Sequence, residues 1–349
     1  MGWSSTGARA QSPAPDMAVG FVESALDRVI IPDYERFADA AEGFATTAAG
    51  GCADIETLRA GFHDAMDAWQ AVQAVRFGPV EREERHFRIQ FWPDKRNLTA
   101  RHLGQFIQDA DESALAPETL AAYSIAVQGF PALERLLFED AEALTAGNAE
   151  ADFRCRLVAA IARNIANIAA AIVAEWPEDR RLMTAPGPDN SAYRDGSEAL
   201  RAIHGVMSGG LDAVVMLKLE PVLGDGPEGV RARLAENWRS ARSLRNIALN
   251  LRAAERLFRA DGAADYSFDG FLRASELGRL ADRIGGGLGD AADRAHDIGP
   301  DFETAFAAEG GYTGVLLLRD QVGGARGAVS RDLAAALGLT LGFNALDGD

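Results

Sequence analysis

The sequence predicts an all-α protein built as two helical bundles. Apolar residues recur three and four positions apart nearly throughout, and alternating β-branched runs are few, which is the helical period rather than the strand period. The stretch from Thr184 to Asn190, with Pro186, Gly187 and Pro188, interrupts that period near mid-chain and reads as a linker. With 349 residues of which 48% are apolar, each half is large enough for its own core. The expected organisation is a leader over 1–16, an N-terminal bundle over 17–183 and a C-terminal bundle over 184–349. No short-period repeat occurs, which argues against a solenoid.

Met17 to Thr47 forms one long pattern that Pro32 should kink or break, and Ala48-Ala49-Gly50-Gly51 ends it. A second helix runs from about Asp54 to Arg76, with Leu58, Phe62, Met66, Trp69 and Val72 on one face and Gly78-Pro79 beyond its end. A short charged helix around Glu81 to Arg88 leads into Phe91-Trp92-Pro93-Asp94, and another helix spans Thr99 to Asp109. Pro117 and Pro131 each open a further helix, because a missing N–H costs nothing in the first turn. After the Gly147-Asn148 turn, Phe153 to Glu175 reads as an unbroken amphipathic helix ended by Pro177. The second half repeats the style, with helices near 192–217, 229–260, 268–292, 301–308 and 314–337.

The net charge of −17 would repel phosphate backbones and anionic lipid, which argues against nucleic acid and membrane surfaces as partners. Cys52 and Cys155 are the only cysteines and form no CxxC or Cys/His cluster; a sulfur-based zinc site is excluded, and one disulfide stays open. Ala8-Arg9-Ala10 followed by Gln11 matches the A-x-A cleavage pattern of a secretory signal, although no apolar run precedes it. The expectation is an exported, periplasmic protein whose signal has been removed, against the alternative of an ordinary tail. No other run is expected to be long enough to span a bilayer, so no transmembrane segment is expected.

The candidate site centres on Gly129-Phe130-Pro131-Ala132-Leu133-Glu134. Gly129-Phe130 closes a turn and Pro131 opens a helix, so Glu134 sits in the first turn, where the helix dipole favours a carboxylate and Leu133, Leu136, Leu137 and Phe138 make the surroundings apolar. Three other segments carry unusual polar density. In Phe91-Trp92-Pro93-Asp94-Lys95-Arg96-Asn97, Asp94 is placed to cap the helix that follows. In Trp238 to Asn246, read as part of a long helix, Arg239, Arg242, Asn246 and Asn250 share a face. That stripe either faces solvent or pairs with carboxylates such as Glu134 and Asp94. Finally, the apolar residues of Leu339 to Asp349 predict a C-terminus that docks.

Taken together, Phe91-Trp92-Pro93-Asp94, Val127 to Leu137, Trp238 to Asn246 and Gly342-Phe343-Asn344 to Asp349 resemble the imelysin-like family, in the branch of periplasmic lipoproteins linked to iron uptake. The resemblance covers nearly the whole chain from about Met17. It implies two helical bundles with approximate internal symmetry, a site at their interface and export to the cell envelope; the family's namesake was described as a metallopeptidase. The family hallmark is G-x-H-x-x-E. Here its glycine is Gly129 and its glutamate Glu134, but Pro131 stands at the histidine position. Proline offers neither a metal ligand nor a proton acceptor, so a zinc centre of three protein ligands plus water loses a ligand.

The remaining histidines, His63, His86, His102, His204 and His296, show no H-E-x-x-H spacing. His63 with Asp67 and Glu83 with His86 have ligand-compatible helical spacing, and a carboxylate-rich site for iron or another divalent cation needs no histidine. Neither a P-loop nor a G-x-S-x-G elbow occurs, and Gly285-Gly286-Gly287-Leu288-Gly289 reads as a helix end or a close helix contact. The expected function is an accessory of iron or haem acquisition that binds a cation, a chelate or a partner between the bundles, the partner being an envelope iron-uptake protein. Glu134, Asp94, Arg96, Arg239, Arg242, Ser243 and Asn246 form the expected site, with Trp92 and Trp238 as walls and Gly129, Pro131 and Glu134 as its motif. The alternatives are a metal-dependent peptidase with Glu134 as general base, and an interaction module without a small ligand.

Overall fold

The computed structural model describes residues 15–262 and 265–339, and among them every regular element is helical. In chain order the α-helices are α1 (Pro15–Ala25), α2 (Ile31–Ala49), α3 (Ile55–Val72), α4 (Arg85–Ile89), α5 (Leu98–Asp109), α6 (Pro117–Ala122), α7 (Phe130–Glu134) and α8 (Ala149–Thr184) in the first half. The second half holds α9 (Gly196–Ala213), α10 (Glu220–Leu223), α11 (Ser243–Arg259), α12 (Phe268–Ala274), α13 (Gly278–Ile298), α14 (Phe302–Ala307) and α15 (Gly311–Gly327). Side-chain caps set several of the starts: Asp54 accepts from the Thr57 N–H at 3.0 Å, Asn148 from that of Ala151 at 2.9 Å, and Asp195 from Ser197 and Glu198. Both the Ala8 to Ala10 tripeptide and the C-terminal segment beyond Leu339 lie outside the described residues.

In the first half α2 packs between α3 and α8; in the second, α13 packs between α11 and α15. The two groups share one continuous core, because α3 packs on α11 and α1 crosses to lie along α9. Phe21 of α1 stacks on Phe268 at 5.7 Å and meets Phe271 edge-on at 5.6 Å, tying the first helix to α12. Cys52, just beyond α2, is bonded to Cys155 on α8. Closing a loop of 103 residues removes roughly 4–5 kcal/mol of chain entropy from the unfolded state.

Two prolines behave differently from expectation. Pro32 neither breaks nor ends its helix, because the preceding turn, Leu26–Ile30, widens to a π-turn in which the Ile31 N–H reaches back to the Leu26 carbonyl. Such a turn is one of the ways a helix accommodates a locally disrupted ladder. Pro177 does not end α8, which runs on to Thr184. An interior proline costs about 3 kcal/mol, and buried Trp176 and Met183 together with Asp179, paired to Arg82 at 2.9 Å, hold the last turns in place. The same helix also corrects the reading of membrane-spanning runs. Ala149–Thr184 is long and apolar enough by composition to cross a membrane; here Leu157, Ile161, Ile165 and Ile172 are buried against the rest of the fold. Gly285 and Gly289 lie inside α13, where an added Cβ would come within 3.4 Å of Phe258 and 3.2 Å of Glu255, so the glycine run is a close helix contact.

Candidate functional site

Glu134 ends α7 and passes directly into a second π-turn, Arg135–Glu139. The helix start is fixed from below, because a Cβ on Gly129 would stand 2.3 Å from the Ile89 carbonyl oxygen and 2.5 Å from that of Arg88. Only glycine lets α7 approach the end of α4 this closely. Glu134 is 5% exposed, and its Oε1 accepts from the Ser240 N–H at 3.0 Å and from Ser240 Oγ at 2.7 Å. Burial raises its pKa above the ordinary value, against the hydrogen bonds from Ser240 and Asn237 and the nearby charge of Arg239, which lower it.

Ser240 reaches Glu134 because Trp238 to Arg242 is a tight loop and not the helix expected there. Asn237 and Ala241 adopt left-handed backbone angles, φ 51° and 50°, and α11 begins only at Ser243. The loop leaves the Ser240 N–H free to point at the carboxylate, which a helix would have used internally. Arg239 therefore shares no helical face with Arg242. It donates to Glu139 at 2.7 Å and lies over the Trp238 ring at 4.2 Å, while Arg135 holds the same Glu139 at 2.5 Å.

Arg242, 1% exposed, locks the loop to α3 and α11 together. Its Nε donates to Asn246 Oδ1 at 2.8 Å, its Nη1 faces His63 Nδ1 at 2.9 Å, and its Nη2 binds Asp67, which Arg245 also binds. Burial, with Arg242 and Arg245 beside it, pushes the His63 pKa down to about 4, so the ring is a neutral acceptor at neutral pH. The expected pairing of this stripe with Glu134 or Asp94 is thus replaced by Glu139 and Asp67. Asp94 instead caps α5, accepting from the Leu98 and Thr99 N–H groups at 2.8 and 2.7 Å. Arg96 is exposed, and no ion pair holds it among the described residues. Ser243 opens α11 with its Oγ buried and unpartnered.

Asn246 carries the network deeper, donating to Glu236 at 2.8 Å and to Asn237 at 2.9 Å. Glu236 and Lys218, 1% and 4% exposed, form a fully buried ion pair at 2.7 Å. Lys218 lies in a third π-turn, Val214–Leu219, and its Nζ also contacts Gln70, Gln73 and Asn250 at 3.0, 2.8 and 2.6 Å. Desolvation lowers the Lys218 pKa, and Glu236 opposes that; for Glu236, burial is outweighed by Lys218 and the surrounding donors, so its pKa is lowered.

Lys218, Gln70, Gln73 and Asn250 form the polar floor of a cleft of about 670 Å³ between the halves. Its walls come from the Leu26–Ile30 π-turn (Val29, Ile30), the end of α3, the α4 region (Phe87, Trp92), α9 and α11 (Ala254, Leu257). Of the expected site residues only Trp92 lines this cleft; Glu134, Arg242, Ser243 and Asn246 lie in the closed network behind its floor, and Trp238 packs beside Arg233 and Arg239. Sequence reasoning missed Lys218, Glu236, Gln70, Gln73 and Gln90. One signal was present: Lys218 is one of two lysines in the chain and stands alone in the apolar run Val214 to Leu219.

The fold and site define an all-helical protein of two interlocked bundles, with a buried carboxylate network behind an inter-bundle cleft. The sequence model of the imelysin family matches residues 30–323, and the chain belongs to that family. In structure it is similar to an imelysin-like protein from Psychrobacter arcticum, with a TM-score of 0.78 over 96% of this chain and 99% of that one, at 19% identity; the likeness is one of fold. Among curated proteins none matches.

A hydrolytic metal does not fit the described residues. No group of three His, Cys, Asp or Glu side chains is placed to hold an ion among the described residues. His63 and Asp67 are taken by Arg242 and Arg245, His86 donates from Nε2 to the Gln73 carbonyl at 3.0 Å, and exposed Glu83 faces Arg85 and Arg88. Pro131 occupies the first turn of α7 without a donor atom of its own.

Proposed function

We propose that this imelysin-family member is a non-hydrolytic binding protein of the cell envelope that takes haem or an organic iron chelate in the cleft between its halves and hands it to an uptake partner. The observation that carries this reading is the character of the cleft: apolar walls, a floor of amides around a neutralised Lys218–Glu236 pair, and a volume of about 670 Å³. Pockets of that size with a few placed polar groups suit an organic ligand. A bare cation would need several converging oxygen ligands. Export is supported by the Cys52–Cys155 bond, which persists in oxidising compartments, and by the A-x-A tripeptide at Ala8 to Ala10. Glu134 is better suited to holding the Ser240 loop than to activating water, since it is 5% exposed and its Oε1 already accepts two hydrogen bonds from Ser240.

Equilibrium dialysis against haemin, a ferric trihydroxamate, ferrous iron and zinc chloride tests the reading. The expected result is uptake of haemin or the trihydroxamate at one site, none of the bare ions, and no hydrolysis of a peptide mixture. Stoichiometric zinc with chelator-sensitive cleavage would establish the peptidase instead, and retention of none of the four would leave a module that recognises only macromolecules.

A further inference from the structure

Three residues of the cleft lining each carry a buried acceptor atom with no hydrogen-bond partner among the described residues: Asp33 Oδ2, His86 Nδ1 and Gln90 Oε1. Their residues are 1%, 4% and 2% exposed. Each atom's role is fixed by what its other end does. Asp33 Oδ1 accepts from Arg256 at 3.0 Å and also binds Arg36, leaving Oδ2 over. His86 Nε2 faces a backbone carbonyl, so Nε2 carries the proton and Nδ1 presents a lone pair. Gln90 Nε2 donates to Glu236 Oε1 at 3.2 Å, which fixes the amide orientation and leaves Oε1 as the free end. Buried acceptors left unpaired are costly and uncommon in native proteins.

The floor's one cation, by contrast, is fully engaged. Lys218 Nζ is surrounded by four acceptors, and the Gln73 and Asn250 amides donate to Glu236 and to Gln70. An incoming carboxylate or phosphate would find no free cation there. The one loosely held cation of the lining is Arg76, at the mouth, 4.0 Å from Glu81 and over the exposed Phe87 ring.

We infer that the inner end of the cleft's ligand carries N–H or O–H donors, an amine or hydroxyl group on an apolar body, and that Asp33, His86 and Gln90 are the residues that select it. The inference rests on the cleft being the ligand site and narrows that reading to a donor-bearing chelate, against haem, whose polar groups are carboxylates. An anionic group on the same ligand would have to face outward, toward Arg76.

Three probes of one shape separate the possibilities: phenylbutylamine, phenylbutanol and phenylbutyrate, titrated calorimetrically into the full chain. The donor-bearing amine and alcohol are expected to bind at least roughly tenfold tighter than the carboxylate, about the ratio one or two buried hydrogen bonds give. Asp33→Asn turns the free oxygen into a donor and should narrow or invert the order. His86→Phe removes one acceptor at nearly constant volume and should weaken the amine and alcohol while leaving phenylbutyrate unchanged; it serves if the first variant fails to fold. Equal affinities, tighter phenylbutyrate, or no binding of any probe up to its solubility limit would overturn the donor inference. Gly209→Phe separates this from the cleft reading. Gly209 lines the cleft and its Cβ position is open for 4 Å, so the ring should fill the space and abolish binding. Probes that bind this variant as well as the parent would overturn both.

Discussion

The network around Glu134 and the cleft beyond its floor are built from the same residue types and share one wall, yet they are finished differently. In the network, Glu134, Glu236, Arg242 and Asn246 have their partners supplied by the protein, and the Ser243 hydroxyl is the one group left over among the described residues. In the cleft, three buried acceptors have none. A saturated buried network holds elements in a single arrangement, whereas an unsaturated lining awaits something from outside. On the proposed reading, the residues that read most strongly as a site in the sequence are scaffold, and the ligand surface is the less conspicuous cleft beyond them.

Separate substitutions can sharpen that contrast. The largest effect on binding is expected from Gly209→Phe, which should abolish uptake of haemin or trihydroxamate in dialysis while changing the urea midpoint little, since phenylalanine is a better helix former than glycine. Lys218→Met strikes the wall the two regions share. It leaves Glu236 charged and unpaired in the interior, and should cost about 3–5 kcal/mol in chemical unfolding. Gly129→Ala should cost roughly 1–3 kcal/mol, because α7 must move off the Arg88 and Ile89 carbonyls, and ligand affinity should be preserved in the fraction that folds.

The smallest effect is expected from Glu134→Gln, within about 1 kcal/mol at neutral pH, because the amide oxygen can still accept from Ser240. Its sign depends on pH. Burial raises the Glu134 pKa, so the native state favours the protonated acid; that contribution is complete below the ordinary value of 4.5 and is lost as pH rises through the folded value. Urea unfolding of the two proteins across that range should therefore show the glutamine variant gaining on the parent as pH rises. A parent that gained instead would mean that the ionised carboxylate is the stabilising form.

Much of the frame was legible in the sequence because it depends on local rules. The Asp94 cap, the helix face of Leu58, Phe62, Met66 and Trp69, the turn at Gly129 and the opening of α7 at Pro131 all follow from spacing and backbone chemistry. Three features were not legible, for identifiable reasons. The Asn237 to Arg242 loop contains no glycine or proline, and its two left-handed residues are sustained by contacts of Ser240 and Arg242 with distant segments. Pro177 is overridden by packing around Trp176 and Met183. The cleft floor gathers Gln70, Gln73, Lys218, Glu236 and Asn250 from opposite halves of the chain, and scattered polar residues on otherwise amphipathic helices leave no periodic signature. Two of the π-turns that shape it, at Leu26–Ile30 and Val214–Leu219, likewise carry no sequence mark of their own.

The central claim is that ligand enters the cleft and not the space beside Glu134. A crystal structure of the protein soaked with the ferric trihydroxamate tests it most directly. The account predicts iron and chelate density between Gly209, Phe87 and Leu257, with a donor group within hydrogen-bond distance of His86 Nδ1 or Asp33 Oδ2 and the Ser240–Glu134 contacts unchanged. Density coordinated to Glu134, with the Ser240 loop displaced, would contradict it.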